Sequence, residues 1–139
     1  MRPPPARPPS SAIRGRRNTA SPRAGHARGL AEPAHRLAAA LQALGAATKA
    51  AWATGVPEAA LANATPYLQA FGHVVLAWIW LDVALAALAA DSEKSTAATV
   101  GRLAATRYFY HYELPKIEAW LRVAETRDLT CADLPEEAF

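Results

Sequence analysis

The side chains whose types and positions could do acid–base chemistry are two histidines and a nearby carboxylate. His73 could serve as a general base, but no Asp or Glu stands three or four residues away to orient its ring. His111 and Glu113 are two residues apart, and such residues point to different sides of a helix. We therefore interpret His73 as a hydrogen-bonded core or interface residue, and we expect no catalytic dyad at His111.

Metal, thiol and phosphate chemistry lack their usual patterns. None of the four histidines stands in an HxxxH or HExxH spacing. Cys131 is the single cysteine, so the chain can form no internal disulfide, and neighbouring Asp133 gives no reason to expect an activated thiolate. No glycine-rich phosphate loop or nucleophile elbow is present. The sequence therefore predicts no catalytic, cofactor-binding or metal-ligating residue.

An aromatic cluster near the C-terminus could suggest base stacking. Tyr108, Tyr110 and Tyr112 recur there, but no stripe of basic residues interleaves them. Packing in the core or against another subunit is the better interpretation. Arg107 lies at helical spacing from Tyr110 and His111, and we expect a structural contact between them.

Two parts of the chain differ in charge. Residues 1–30 contain seven arginines and no acid, and Arg, Pro, Ala, Gly and Ser make up 24 of these 30 residues. Such a composition cannot bury enough apolar surface to fold, so we expect a disordered leader. A transit peptide, a phosphate- or RNA-binding arm centred on Arg14, Arg16 and Arg17, and a non-functional extension all remain open, with the last favoured.

The remaining residues are acidic and helical in pattern. Residues 31–139 hold eight basic and twelve acidic side chains, a net charge of −4 that argues against nucleic-acid binding. Helical periodicity and breakers such as Gly55 and Pro115 predict an all-α, up-and-down bundle of three or four helices over 31–127, followed by a surface tail over 128–139. The expected helices are 33–54, a stretch over 57–90, 93–112 and 115–126.

Particular residues shape these expected helices. Leu37, Leu41, Leu44, Thr48 and Trp52 recur at helical spacing and should lie on one face of the first helix. In the second stretch, either Thr65 caps a new helix with Pro66 at its first position, or Pro66 kinks a longer one. Asp91-Ser92 should end this stretch and cap the next.

The segment from Asn63 to Asp82 is unusually rich in large apolar side chains. Leu68, Phe71, Val75, Trp78 or Ile79, Asp82 and Leu85 follow the helical period, so this face should be enclosed by protein or lipid. Trp78→Ala should cost about 3–5 kcal/mol if Trp78 is buried.

A membrane span is the alternative for this segment. Within 74–90 only Asp82 is polar, and a central Asp costs about 2.5–3.5 kcal/mol on insertion scales. We therefore expect a buried helix of a soluble bundle, with Asp82 paired to a cation such as Arg102 or Arg107 on a neighbouring helix.

Two runs of sequence resemble a known family. ANATPYLQAFGHVVLAWIWLDVALAA and GRLAATRYFYHYELPKIEAWL resemble the extra C-terminal helical domain of the large acyl-CoA dehydrogenases, a group that includes the 3-methylmercaptopropionyl-CoA dehydrogenase-like flavoproteins. The most specific matching features lie in Tyr67–Leu81 and Ala105–Pro115, and the resemblance covers about residues 35–127.

The resemblance implies an accessory role rather than catalysis by this chain. Intact members bind FAD and remove a proton from the acyl-CoA α-carbon with a glutamate, and those functions belong to other domains. No family site residue is therefore carried over, and Glu113 is not assigned as the base. We expect a truncated, cytoplasmic product, inactive alone, whose aromatic helix faces pack against a dehydrogenase core or identical subunits and could allow self-association. A stand-alone helical interaction module or a small membrane-associated protein is the alternative.

Overall fold

The computed structural model describes residues 29–90, 96–130 and 132–138, and within these ranges the chain is all-α with no strand. The prediction of a helical bundle is confirmed. The four main helices are α1 (Ala31–Ala51), α3 (Ala64–Ala90), α4 (Ala97–Tyr108) and α5 (Ile117–Thr126), and a short helix, α2 (Pro57–Leu61), precedes α3. Most of the predicted leader, residues 1–28, lies outside the described residues. The predicted cap at Asp91-Ser92 also lies outside them.

The helices form three rods that run alternately up and down. The first rod is α1, the second is α3, and the third is α4 followed by α5 with an interruption between them. A π-helical turn (Phe109–Glu113) and a 3₁₀ turn (Leu114–Lys116) join them. At one end of the bundle, Leu30 packs with Ala84 and Leu103. At the other end, Thr48 bonds to Tyr67, and the Arg127 guanidinium donates to the Ala50 carbonyl at 2.9 Å. α1 and the α4–α5 rod therefore run in one direction and α3 runs in the other.

Only part of the face predicted for the first helix is buried in α1. Leu37 and Leu44 are buried, but Leu41 is 54% exposed, Trp52 is 49% exposed, and Thr48 is exposed. Alanines complete the buried face, at positions Ala40, Ala47 and Ala51. Small residues on this face let the rods approach closely, which the leucine spacing alone could not indicate.

In α3 small residues are buried and large ones are exposed, a larger departure from the sequence pattern than in α1. Its buried residues are Ala70, Val74, Ala77, Ala84 and Ala87. The face of large apolar residues, which the sequence predicts to be enclosed by protein or lipid, points away from the other rods, and Trp78 is 63% exposed. The predicted cost of Trp78→Ala in a buried site therefore does not apply to the isolated chain.

Breakers and caps set the helix ends. Gly55 takes a left-handed φ of 69° in the turn after α1, and extended Val56 precedes Pro57. Pro66 does not stand at the first position of α3: it lies in the first turn, where its missing N–H removes no internal helix bond. The Thr96 hydroxyl caps α4 by accepting from the Thr99 N–H at 3.1 Å.

Candidate functional site

The one clustering of a histidine with a carboxylate in the described residues lies at His73 and Glu113. His73 Nε2 is 3.8 Å from Glu113 Oε2, and Lys116 Nζ donates to the same oxygen at 2.6 Å. The π-helical turn brings Glu113 to α3, a juxtaposition that sequence spacing could not reveal. The His73 ring also lies edge-on to Trp120, with 4.8 Å between centroids.

The electrostatics of this cluster favour structure over catalysis. His73 Nδ1 pairs with the Gln69 carbonyl at 3.1 Å, which fits the Nδ1–H tautomer as donor. The hydrogen bond from Lys116 lowers the pKa of Glu113, opposed by desolvation and assisted by the charges of Lys116 and His73. A carboxylate stabilised in this way is a weaker general base. The interpretation of His73 as a hydrogen-bonded, partly buried residue therefore agrees with its contacts.

Tyr110 joins all three rods. Its ring is 1% exposed, and its hydroxyl donates to the Ala77 carbonyl of α3 at 2.8 Å. Burial raises the pKa of Tyr110 to about 12. Its backbone carbonyl accepts a hydrogen bond from the Arg36 guanidinium of α1, which is itself paired with Glu32 at 2.6 Å. Helical spacing gave no indication of Arg36; the signal available in the sequence was Pro115, five residues after Tyr110.

The other two tyrosines lie at the surface. Tyr108 is 57% exposed and Tyr112 61% exposed, and their ring centroids are 5.1 Å apart. Arg107, Tyr110 and His111 line the same surface hollow of about 420 Å³. Their common location agrees with the predicted proximity, although no hydrogen bond joins Arg107 to either residue in the described chain.

The side of α3 that points away from the other rods is largely apolar, and we call it the outer face. It comprises Leu68, Phe71, Val75, Trp78, Ile79, Asp82 and Leu85. Asp82 is exposed, and no ion pair joins it to Arg102 or Arg107, so the predicted pairing was wrong. Exposed groups of large apolar side chains are common at the interaction sites of proteins.

Length and composition alone would also allow this helix to cross a membrane. Among the described residues α3 is the one helix that meets those criteria, and 22% of its most apolar window is buried in the bundle. This is weak support for a span, because core helices of soluble proteins meet the same criteria.

A groove of about 470 Å³ runs between α1 and α5. Its floor is apolar, from Ala40, Ala43 and Leu121, and its polar groups are Arg36, Glu118 and Glu125. Arg36 already bonds to Glu32 and to the Tyr110 carbonyl. In the described ranges, no group of three or more His, Cys, Asp or Glu side chains could hold a metal ion.

Comparison with protein families identifies the chain. The sequence profile of the family described as "Acetyl-CoA dehydrogenase C-terminal like" matches residues 13–135, most of the chain. The chain belongs to this family. No curated protein and no solved structure matches it.

Membership in the acetyl-CoA dehydrogenase C-terminal-like family confirms the coarser part of the resemblance, a C-terminal domain of acyl-CoA dehydrogenases. The match is wider than the predicted 35–127 and begins at residue 13, inside the arginine-rich segment. Intact enzymes of this family bind FAD. We therefore ask whether the residues that line the groove between α1 and α5 suit that cofactor. Two carboxylates, Glu118 and Glu125, line this groove and would repel a pyrophosphate, and the one cation there, Arg36, is engaged elsewhere. This groove therefore does not fit that cofactor.

Proposed function

We propose that this chain is an accessory packing domain of an acyl-CoA dehydrogenase-type flavoenzyme, and that the chain alone has no dehydrogenase activity. The outer face of α3 packs against the dehydrogenase core. Family membership supports the association with such an enzyme. The observation that carries the packing role is the exposure of large apolar side chains on that face, of which Leu68 and Trp78 are 63% exposed.

Energetics support a partner at this surface. Burial of a side chain of Leu or Phe size contributes about 1.5–3 kcal/mol, and aromatic side chains dominate the binding energy of many interfaces. Phe71 and Trp78 lie about two turns apart on one side of a single helix. Such a row of anchors suits a groove between helices of the partner.

Coexpression with a dehydrogenase core tests the proposal. The full chain would be produced with a tagged acyl-CoA dehydrogenase core encoded in the same genome, and the complex isolated by affinity and size-exclusion chromatography. We expect a stoichiometric complex with the wild type and its loss in Phe71→Ser/Trp78→Ser. Thr65→Ser and Gln69→Ser, two exposed polar positions on α3, serve as controls. A wild-type chain that never associates with the core contradicts the proposal.

The cofactor part of the proposal has its own assay. FAD belongs to the intact enzymes, and this chain contributes none of the groups that hold it. The purified chain should show no flavin absorbance and no acyl-CoA-dependent reduction of a dye. Stoichiometric flavin in the isolated chain would contradict this part and would leave the packing role to be decided by coexpression.

A small membrane-associated protein is the second candidate, and the observation favouring it is the length and apolar character of α3. An exposed Asp82 in the middle of the apolar run 74–90 opposes it, because an ionised side chain is costly in a bilayer. Extraction of cell membranes with alkaline carbonate separates the two. Retention of the chain in the membrane pellet favours a span, and release into the supernatant favours the packing domain.

The finer assignments rest on the family resemblance and on sequence composition and periodicity. We propose a 3-methylmercaptopropionyl-CoA dehydrogenase-like parent enzyme, supported by the Tyr67–Leu81 and Ala105–Pro115 segments, and a cytoplasmic location. We also propose a leader over 1–30, a bundle over 31–127 and a tail over 128–139. Acyl-CoA profiling of the complex, cell fractionation and limited proteolysis test these three assignments respectively.

A further inference from the structure

The outer face of α3 carries one charge among large apolar side chains. Asp82 lies three to four residues from Trp78, Ile79 and Leu85, so all four share the same side of the helix. Trp78 and Leu85 are more than half exposed, and Asp82 is exposed between them. Any partner that covers the apolar residues must also cover this carboxylate.

No cation of the described chain accompanies Asp82. α3 contains no Lys or Arg, and its single histidine, His73, points to the opposite side of the helix toward Trp120 and Glu113. The nearest rod contributes Arg102 and Arg107, and neither forms an ion pair with Asp82. The carboxylate therefore depends on water in the isolated chain.

Burial of an unpaired carboxylate costs more than neighbouring apolar contacts return, whereas a cation placed opposite compensates for much of the lost hydration. We propose that the outer face docks a protein surface with an apolar ridge and one Arg or Lys positioned to meet Asp82. This inference rests on the proposed packing function and adds the chemistry of the partner to it. Asp82 would then fix the register of docking, because only one alignment pairs the two charges.

Two other occupants of the outer face, a second copy paired through α3 and a lipid surface, would place no cation opposite Asp82. A second copy of the chain paired through α3 would bring another Asp82 and no basic side chain from that helix. Lipid chains would surround Asp82 with no counter-charge. Self-association would reveal a second copy on the outer face, and vesicle binding would reveal lipid there.

Affinity measurements with the coexpressed dehydrogenase core test the inference. Asp82→Leu should weaken binding about 30-fold or more, although it makes the face more apolar, and Asp82→Lys should weaken it further. Glu58→Lys, an exposed acid on α2, carries the same charge change as Asp82→Lys and should bind as the wild type does. A charge-reversal scan of the core's surface Arg and Lys residues to Glu should find one that restores binding to Asp82→Lys.

The outcomes separate the two proposals. A wild-type chain that does not bind the core overturns the packing function and this inference with it. Binding of Asp82→Leu as tight as the wild type, with circular dichroism unchanged, overturns the inference and leaves the packing function standing. Wild-type dimerisation through α3, or wild-type binding to phosphatidylcholine–phosphatidylglycerol vesicles that Asp82→Leu leaves unchanged, would assign the face to a second copy or to lipid and overturn it as well.

Discussion

The guanidinium of Arg36 donates a hydrogen bond to the backbone carbonyl of Tyr110, across 74 residues of sequence. In a π-helical turn the N–H of residue i+5 bonds to the carbonyl of residue i, and the Leu114 N–H bonds to the Phe109 carbonyl in this way. The next donor in that register would be Pro115, which has no N–H. Arg36 supplies the donor that Pro115 lacks, and so links α1 to the interruption of the third rod.

Removal of Arg36 should therefore destabilise the bundle. Arg36→Gln leaves the Tyr110 carbonyl without its donor, and we expect a loss of about 1–3 kcal/mol in the free energy of unfolding, measured by urea denaturation. Glu32→Gln is the matched control, because it breaks only the exposed ion pair with Arg36, a contact of about 0–1 kcal/mol.

A double-mutant cycle with Pro115→Ala tests the reason for that loss. This substitution would restore a backbone N–H within reach of the Tyr110 carbonyl, so Arg36→Gln should cost about 0.5–1.5 kcal/mol less in this background. Equal costs in both backgrounds would show that Arg36 stabilises the bundle by some means other than replacing the Pro115 donor.

The buried Tyr110 hydroxyl predicts instability in alkali. Its pKa is raised from 10.0 to about 12, so the unfolded chain loses this proton at a lower pH than the folded chain. The stabilisation is complete below pH 10 and is lost as the pH rises through 12, by about 2–3 kcal/mol in total. Tyr110→Phe should cost about 0.5–1.5 kcal/mol at neutral pH and should remove this part of the alkaline loss. Tyr112→Phe, at an exposed site, is the control.

Because α3 buries alanines and exposes its large side chains, substitution of a large residue should affect stability less than substitution of a buried alanine. Trp78→Ala should change the free energy of unfolding of the monomer by less than about 1 kcal/mol, because Trp78 is 63% exposed. Ala77→Leu should cost about 1–3 kcal/mol or more, because Ala77 is fully buried. Ala86→Leu, at an exposed alanine, should be nearly neutral. Dilute protein is needed, and a large loss in Trp78→Ala that grows with concentration would indicate self-association through the outer face.

The exposure of large side chains on α3 also shows how far the sequence could predict the fold. Helical periodicity correctly indicated the helices, and Gly55 and Pro115 marked real interruptions. Periodicity finds apolar faces but cannot say which one is internal when a helix has two. In α3 the large residues dominate the pattern, while the alanines that form the tight core contact give no signal of their own.

The candidate site was less predictable, because its contacts join distant residues. Glu113 reaches His73 only through the π-helical turn, and Asp82 was assigned a partner on α4 that it does not have. Spacing along one helix predicts neighbours three and four residues apart. It carries no information on how neighbouring rods are rotated, which decides both contacts.

The Glu113–Lys116 ion pair should affect the pKa of Glu113 and the stability of the chain at acidic pH. Lys116 lowers the pKa of Glu113 below its ordinary value of 4.5, mainly through its hydrogen bond. A lowered pKa means that the stabilisation is present above the unfolded value and is lost as the pH falls through the folded value. Lys116→Gln should therefore raise the pKa of Glu113, measured by carbon NMR of its carboxyl group, and should flatten the loss of stability below about pH 4.5. Lys49→Gln, on α1 and away from this cluster, should leave both unchanged. If Glu113 titrates identically in wild type and Lys116→Gln, then the 2.6 Å contact between Lys116 and Glu113 is not formed in solution.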